Sequence, residues 1–254
     1  MSPVARPALS DAELAAHLAE TAGHILLEVR ASGLFSAAAL GKAGDQTANQ
    51  FLVAALRDRR PEDGLLSEEM ACNGERLTRS RVWIVDPVDG TREYGEERAD
   101  WAVHVALAVD GVPTVGAVAL PGMDGGMLLR TDQPRAVPEP SARLRMVVSR
   151  TRPAPEAIAV ARALDAELVP MGSAGAKAMS VILGDADIYL HSGGQYEWDS
   201  CAPAAVALAH GLHVSRIDGT PLIYNRADVY MPDLLICRPA HAPIVLEALG
   251  KAAA

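Results

Sequence analysis

The feature that most limits the fold of this chain is the apolar run VWIV at 82–85, which ends abruptly at Asp86-Pro87. β-Branched and aromatic residues favour a buried strand, and the proline is expected to end that strand in a turn. Residues 86–91 read DPVDGT, so two carboxylates follow the strand directly. Loops at strand ends face the crevice in which α/β architectures bind ligands. The sequence therefore predicts a site at this strand end.

Asp86 and Asp89 are candidate ligands of a metal ion. Pro87 fixes one backbone angle and Gly90 allows a close approach of the chain, so the two carboxylates can converge. Such a pair suits a hard cation that takes oxygen ligands. The same residues also fit an ordinary surface turn, because Asp, Pro and Gly are the commonest turn formers.

A second acidic segment lies upstream of the strand by the length of a loop. Glu68 and Glu69 follow a short apolar run there. An acidic pair of this kind is also typical of a solvated surface, and the pair alone does not decide between the two interpretations.

A third acidic segment, EWDS at 197–200, precedes the apolar sequence CAPAAVALAH. An Asp or Ser ahead of a helix is what an N-cap requires, so Asp199 can be explained by capping alone. A carboxylate at a helix start can also coordinate a metal, and the two roles are compatible.

The first half of the chain predicts two helices and an antiparallel meander. Asp110-Gly111 between two extended runs is a hairpin signal. The expected elements are a helix from a Ser10/Glu13 capping box to about Arg30, a helix over 45–60 ended by Pro61, and extended runs at 101–109 and 112–120.

The second half predicts shorter strands that alternate with helices, in an α/β style. A polar, proline-bearing stretch at 131–143 separates the two halves. We expect an α+β subdomain over 1–135 that carries DPVDGT and an α/β subdomain over 136–254 that carries EWD and substrate contacts. The elements expected in the second half are a strand at 144–149 and helices at 154–164, 174–183 and 201–210.

Composition excludes several classes of function. The net charge of −9 argues against a general basic surface for nucleic acid. A small phosphorylated ligand is still compatible, because divalent ions reverse the charge of an acidic pocket. No apolar run reaches the roughly 18 residues of a membrane span, and the first twenty residues do not resemble a signal peptide. Three distant cysteines, Cys72, Cys201 and Cys237, predict neither a zinc ribbon nor a disulfide framework, and a cytoplasmic enzyme is expected.

Together the segments SEE, DPVDGT and EWD resemble, in order, the motifs of the inositol monophosphatase superfamily of metal-dependent, lithium-sensitive phosphatases. The resemblance covers essentially the whole chain and implies a layered αβαβα sandwich of the inositol monophosphatase and fructose-1,6-bisphosphatase type. Arg92-Glu93-Tyr94 and Lys177 in GSAGAKAM make the chain more similar to the CysQ-like 3'(2'),5'-bisphosphate nucleotidases than to the inositol phosphatases proper.

The resemblance implies two to three magnesium ions in the site. One would be held by Glu68, Asp86 and the carbonyl of Val88, and a second by Asp86, Asp89 and Asp199. Asp86 would then bridge two ions, which can clamp an in-line displacement by water without a covalent phosphoenzyme.

The same resemblance implies that Thr91 binds the nucleophilic water and that Asp45 orients Thr91. The purely structural alternatives are a helix cap for Asp45, a turn hydroxyl for Thr91 and an exposed helical lysine for Lys177. The substrate contacts it implies come from Val88, Asp89, Gly90, Thr91, Ser173, Lys177 and Asp199, with the Gly90 and Thr91 amides as a cradle for phosphate.

The remaining candidates carry no metal-ligand pattern. Trp198 is expected to pack and so to fix the orientation of Asp199. The histidines expected to be structural are His104, His191, His210 and His213.

The expected reaction is hydrolysis of 3'-phosphoadenosine 5'-phosphate (PAP) to AMP and phosphate, a clearance step in sulfate assimilation. The alternatives are an inositol 1-phosphate or fructose 1,6-bisphosphate phosphatase, an enzyme that accepts all three, and a silent metal or sugar-phosphate binding module. A two-metal nuclease is disfavoured by the acidic balance. The expected partner is a small phosphorylated substrate, with neither nucleic acid nor membrane, and relatives that occur as monomers and dimers make a homodimer an open expectation.

Overall fold

The computed structural model describes residues 9–70 and 74–252. Its first half contains α1 (Asp11–Ala31), α2 (Ala37–Arg59), β1 (Gly64–Ser67), a 3-10 helix (Glu75–Thr78), β2 (Arg81–Asp89), α3 (Thr91–Gly95), β3 (Ala102–Val109), β4 (Val112–Leu120) and β5 (Met127–Arg130). Its second half contains β6 (Arg145–Ser149), α4 (Pro155–Ala163), β7 (Glu167–Met171), α5 (Ala174–Leu183), β8 (Ile188–Tyr196), α6 (Glu197–Ala209), β9 (His213–Ser215), β10 (Tyr230–Cys237) and α7 (Ala242–Ala252).

Two five-stranded sheets organise the described chain. The first has the order β1-β2-β3-β4-β5, with β1 parallel to β2 and the remaining pairs antiparallel. The predicted hairpin is confirmed, since β3 and β4 meet at Asp110 and Gly111, whose φ angles are 49° and 79°. The second sheet has the order β7-β6-β8-β10-β9. The chain passes between the sheets after Arg130, and the subdomain boundary near residue 135 stays a prediction.

Three hydrophobic clusters show how the layers stack. One lies between α1, α2 and the first sheet, and another between α4, α7 and the second sheet. The third and largest joins the inner faces of both sheets to α5 and α6, which lie between them. The layers therefore run helix, sheet, helix, sheet, helix, and the expected αβαβα sandwich is confirmed.

Three predicted boundaries were wrong. Helix α2 begins at Ala37 rather than at residue 45, because the Ala-rich sequence there propagates the helix through Gly41 and Gly44. Strand β2 does not stop at Pro87 but continues to Asp89, with an irregularity in its pairing to β3. Helix α6 begins at Glu197 rather than at Cys201, so EWDS forms its first turn.

Two local predictions about the helices are confirmed. The Ser10/Glu13 capping box is present at the start of α1, and α5 has the predicted bounds. Cys201 and Cys237 are buried free thiols, whereas Cys72 lies outside the described residues. In the described chain no helix combines the length and apolar character needed to cross a membrane.

Candidate metal and substrate site

The end of β2 and the first turn of α6 bring three acids together. One carboxylate oxygen from each of Asp86, Asp89 and Asp199 lies within 4.8 Å of the other two. On β2 the residues from Asp86 to Asp89 face only the two-residue step from His104 to Ala102 on β3, so the strand carries an extra residue. Such a bulge breaks the alternation of side chains and lets both carboxylates reach one side.

Asp86 is the most deeply buried of the three, with 1% of its surface exposed. Burial raises the pKa of Asp86 well above its usual range, and the charges of Glu68, Asp89, Asp199 and Asp45 raise it further. The amide of Val88 donates a hydrogen bond of 3.0 Å to Asp86 Oδ1. These acidic neighbours make Asp86 the centre of a concentration of negative charge.

Asp199 occupies the third position of α6 and not the N-cap, which is Tyr196. Its Oδ2 accepts a 2.6 Å hydrogen bond from the Tyr196 amide, so Asp199 closes the first turn from within the helix. Burial, followed by the charge of Asp89, raises the pKa of Asp199 to about 8. Asp199 is therefore not the N-cap residue that the capping explanation required. Its side chain nevertheless accepts a hydrogen bond from the backbone at the start of the helix.

Glu68 is brought to the cluster by the parallel pairing of β1 with β2. Ser67, the last residue of β1, is the register partner of Val85, so Glu68 leaves the strand next to Asp86. Glu68 as a whole residue is exposed, as expected of a solvated pair, but its carboxyl group is largely buried against the cluster, close enough to hydrogen-bond with Asp86. Burial of its carboxyl, followed by the charge of Asp89, raises the pKa of Glu68 to about 7.

Asp45 and Thr91 adjoin the cluster from α2 and α3. Asp45 lies inside α2, so the helix-cap explanation for it is wrong. It is 7% exposed and its Oδ1 has no hydrogen-bond partner in the described chain. Burial, followed by the charge of Glu68, raises the pKa of Asp45 to about 7, while the nearby Thr91 hydroxyl opposes that rise.

The Thr91 hydroxyl donates to the Val88 carbonyl at 3.0 Å. A Cβ atom on Gly41 of α2 would lie 2.9 Å from Thr91 Cγ2, so glycine is needed there for the helix to approach the turn. That contact explains why a helix that contains Gly41 packs directly against Thr91. Val88 itself is buried, with 1% of its surface exposed.

Asp89 is held from the other side by the start of α5. Its Oδ1 accepts a 3.1 Å bond from the Ala174 amide, and its Oδ2 accepts a 2.6 Å bond from the Gly175 amide. The Ser173 hydroxyl also donates to Oδ2. Ser173 is the N-cap of α5 and has a φ of 53°, a left-handed conformation that a serine adopts at a cost. Ser173 therefore contacts a predicted metal ligand directly.

Lys177 is buried, with 5% of its surface exposed, so its interpretation as an exposed helical lysine is wrong. Its Nζ donates to the Ser173 carbonyl and lies 5.5 Å from the centroid of the Tyr189 ring. Burial lowers the pKa of Lys177, and the charges of Asp89, Glu93 and Asp199 oppose that change. The lysine thus stands on the same side of α5 as the acidic cluster.

A cavity of about 620 Å³ is lined by Asp89 and Asp199 of the acidic cluster and by Lys177. Sequence reasoning missed Arg150, Arg152 and His191 in its wall. The two arginines follow β6, so the strand-end rule used for DPVDGT could have found them. The predicted site residues that line the cavity are Asp89, Gly90, Ser173, Lys177 and Asp199.

Asp45 and Thr91 line a different cavity of about 610 Å³, on the side of Glu69. The predicted residues are thus divided between two adjoining spaces. Asp89 borders the larger one, whereas the Asp45/Thr91 pair borders the other.

The run Arg92-Glu93-Tyr94 does not act as a unit. Tyr94 is in the core, where its hydroxyl donates to the Leu26 carbonyl at 2.7 Å. Glu93 forms an ion pair of 2.8 Å with Arg150 in the cavity wall. The similarity at Tyr94 therefore reports packing and not substrate contact.

Trp198 and two of the histidines lie at or beside the site. Trp198 stacks on Tyr196 with ring centroids 5.0 Å apart, as expected of a packing residue. His104, however, touches both acidic motifs, with Nδ1 3.0 Å from the Trp198 carbonyl and Nε2 3.4 Å from Asp89 Oδ2. Burial, followed by the charge of Lys177, lowers the pKa of His191 to about 4, so His191 is neutral where it lines the cavity.

The acidic cluster fits a divalent cation. Carboxylates whose pKa values are raised by burial and by one another are destabilised as anions, and a bound cation relieves both effects. The donors are all oxygens, which hard cations prefer. Asp86, Asp89 and Asp199 are placed to hold such an ion, with Glu68 beside them.

The fold and the cluster agree with what comparison with known proteins shows. The model of the inositol monophosphatase family matches residues 8–252, and this chain belongs to that family. It is 49% identical to a 3'-phosphoadenosine 5'-phosphate phosphatase of Mycobacterium leprae, over 96% of this chain and 94% of the relative. It is 30% identical to the 3'(2'),5'-bisphosphate nucleotidase CysQ of Escherichia coli K12, over 74% of this chain and 81% of the relative.

Solved structures show the same fold. CysQ from Bacteroides thetaiotaomicron superposes with a TM-score of 0.74 at 24% identity, covering 89% of this chain and 96% of its own. Inositol monophosphatase from Anabaena superposes with a TM-score of 0.74 at 21% identity, covering 94% and 95%. The predicted resemblance to this family is confirmed.

Proposed function

We propose that this chain is a magnesium-dependent phosphomonoesterase that hydrolyses PAP to AMP and phosphate. The observation that carries the proposal is that one cavity is lined both by Asp89 and Asp199 of the acidic cluster and by Lys177 and Arg152. A nucleotide with two phosphates needs a cation-binding cluster for the phosphate that is cleaved and positive side chains for the phosphate that stays.

The positive side chains of the cavity are not equivalent. Arg150 is held by Glu93 at 2.8 Å and Glu96 at 2.9 Å, and Arg92 is paired with Glu96 at 2.8 Å, so both arginines stabilise the wall. Arg152 is exposed. Its charge and that of Lys177 both lower the pKa of His191, so both cations lie near this part of the cavity wall. Lys177 and Arg152 are therefore the residues that we assign to the second phosphate.

The chain's own residues provide the means to orient a water molecule. In the structure the Thr91 hydroxyl donates to the Val88 carbonyl, while Asp45 Oδ1 next to it lacks a partner. If the hydroxyl turns its proton to Asp45, its lone pairs can accept a hydrogen bond from water. Asp45, whose pKa is about 7, can hold a proton at neutral pH.

Bound magnesium would lower the pKa of the attacking water and stabilise the leaving oxygen. Asp86, Asp89, Asp199 and Glu68 would hold the ions, together with the Val88 carbonyl. Within this proposal the enzyme is cytoplasmic and clears the nucleotide during sulfate assimilation. The names of its relatives support the hydrolysis of this nucleotide.

The proposal is tested by phosphate release from PAP, inositol 1-phosphate and fructose 1,6-bisphosphate, measured side by side with magnesium. We expect the highest kcat/KM with PAP, and a higher value with either sugar phosphate would contradict the nucleotidase assignment. A chain that binds these ligands without any magnesium-stimulated phosphate release would instead be a silent binding module.

A further inference from the structure

His104 lies where the two acidic motifs meet. It is the register partner of Asp86 on the neighbouring strand and its side chain is fully buried. Nδ1 lies 3.0 Å from the carbonyl oxygen of Trp198, the residue before Asp199. A carbonyl oxygen only accepts hydrogen bonds, so the Nδ1 proton must be donated to it. One side of the ring is thereby tied to the first turn of α6.

The other side of the ring faces the carboxylate of Asp89. Nε2 lies 3.4 Å from Asp89 Oδ2 and makes no hydrogen bond within the described chain. A Cβ atom on Gly175 would lie 2.1 Å from Nε2, so the start of α5 also packs directly against the ring. The ring is confined between Asp89, Gly175 and the backbone of Trp198.

We propose that His104 is a positioning residue that fixes the distance between Asp89 and Asp199. The inference rests on the proposed function, in which these two acids share a metal ion. The imidazole ring is rigid. Its Nδ1–H donates to the Trp198 carbonyl, while its Nε2 edge, which carries no proton in this tautomer and makes no hydrogen bond, packs 3.4 Å from Asp89 Oδ2 and limits how closely Asp89 approaches. Partners that orient the ligands of a metal usually matter for its affinity almost as much as the ligands themselves.

The alternative explanation is that His104 only fills space in the core. The two explanations differ in what a polar replacement does. A space-filling role depends only on the volume of the ring, whereas a positioning role also depends on the hydrogen bond from Nδ1 to the Trp198 carbonyl.

Two substitutions separate the contacts. In His104→Asn the amide can still donate to the Trp198 carbonyl, but nothing reaches Asp89. In His104→Gln the side chain still extends to the Nε2 position beside Asp89, but the donor at the Nδ1 position is lost. His210→Asn is the matched control, because His210 also bonds a carbonyl through Nδ1, at 2.7 Å to Val206, and lies at the far end of α6.

The first measurement is Mn²⁺ binding by calorimetry without substrate. We expect both His104 variants to bind Mn²⁺ on the order of 10-fold more weakly than the native chain, and His210→Asn to bind as the native chain does. The magnesium concentration for half-maximal PAP hydrolysis should rise in parallel, with a smaller change in kcat at saturating magnesium. Thermal unfolding in EDTA checks that each variant is folded.

The inference is wrong if a folded His104 variant binds Mn²⁺ as tightly as the native chain. It is also wrong if the variants lose only thermal stability and keep the native magnesium requirement. Failure of the proposed function looks different, because the native chain itself would then bind no Mn²⁺ or would fail to hydrolyse PAP.

Discussion

The amide of Gly175 donates a 2.6 Å hydrogen bond to Oδ2 of Asp89, which joins the start of α5 to the end of β2. Together with the Ala174 amide and the Ser173 hydroxyl, this bond fixes both oxygens of the Asp89 carboxylate. DPVDGT and GSAGAK therefore form one structural unit, although they lie far apart in the sequence. A change in α5 is expected to reach the metal site through Asp89.

Asp86→Asn is expected to abolish turnover and leave the fold intact. The substitution replaces a carboxyl that burial and neighbouring carboxylates make costly to ionise, so the metal-free protein should gain stability. Activity should fall by at least about 100-fold, because a ligand should matter no less than the residues that orient it. Steady-state rates over a range of magnesium, with unfolding in EDTA, check both statements. Near-native activity would overturn the metal assignment.

Lys177→Met tests the assignment of the second phosphate. We expect kcat/KM for PAP to fall about 10- to 100-fold, as when a hydrogen bond to a charged group is lost, and kcat/KM for inositol 1-phosphate to fall less. Stability should not decrease, because a buried lysine has lost its hydration.

The control for this variant is Lys251→Met, which removes an exposed lysine that pairs with Glu247 at 2.7 Å. It should leave both substrates unaffected. Equal losses for the two substrates in Lys177→Met would show that Lys177 supports the site in general and does not select a bisphosphate.

How far the sequence predicts this structure depends on the range of the contacts involved. The β3/β4 hairpin and the bounds of α5 follow from local signals, such as Asp110-Gly111 and helical periodicity, and both are confirmed. The start of α2 does not follow from local signals. Gly41 disfavours a helix locally, and the reason for a glycine there is the close approach of Thr91, a contact between distant parts of the chain.

The same distinction applies to the site. Motif order identified the acids that converge, because their spacing along the chain is characteristic of the family. The burial of Lys177 and the presence of Arg152 in the cavity depend on how α5 and β6 pack against distant elements. The bridging position of His104 likewise depends on three elements that no local pattern relates.

Thr91→Val tests the orientation of water. Valine keeps the shape of threonine and removes the hydroxyl, so kcat should fall about 100- to 10,000-fold, as when a general acid-base contact is lost, with little change in KM. Thr47→Val is the control, because the Thr47 hydroxyl donates to the Ala43 carbonyl at 2.7 Å on the same helix as Asp45 and away from the cluster. If both variants keep native kcat, Thr91 has no part in the reaction.

The contribution of the acidic cluster to the stability of the metal-free protein should fall as the pH rises from about 5 to about 8. The pKa values of Asp45 and Glu68 are about 7 and that of Asp199 is about 8 in the folded chain, above their ordinary values. Across this window these three carboxyls bind more protons in the folded state than in the unfolded state, so the stability that they contribute at low pH is lost as the pH rises through 7 and 8.

Magnesium binds the deprotonated acids, so the stabilisation it gives should grow over the same window and its binding should release protons. Denaturant unfolding in EDTA and in magnesium, at several pH values, measures the difference directly. Asp86→Asn should reduce the dependence on pH, because one of the repelling charges is gone. A stabilisation by magnesium that stays constant from pH about 5 to about 8 would mean that these carboxylates do not bind the ion.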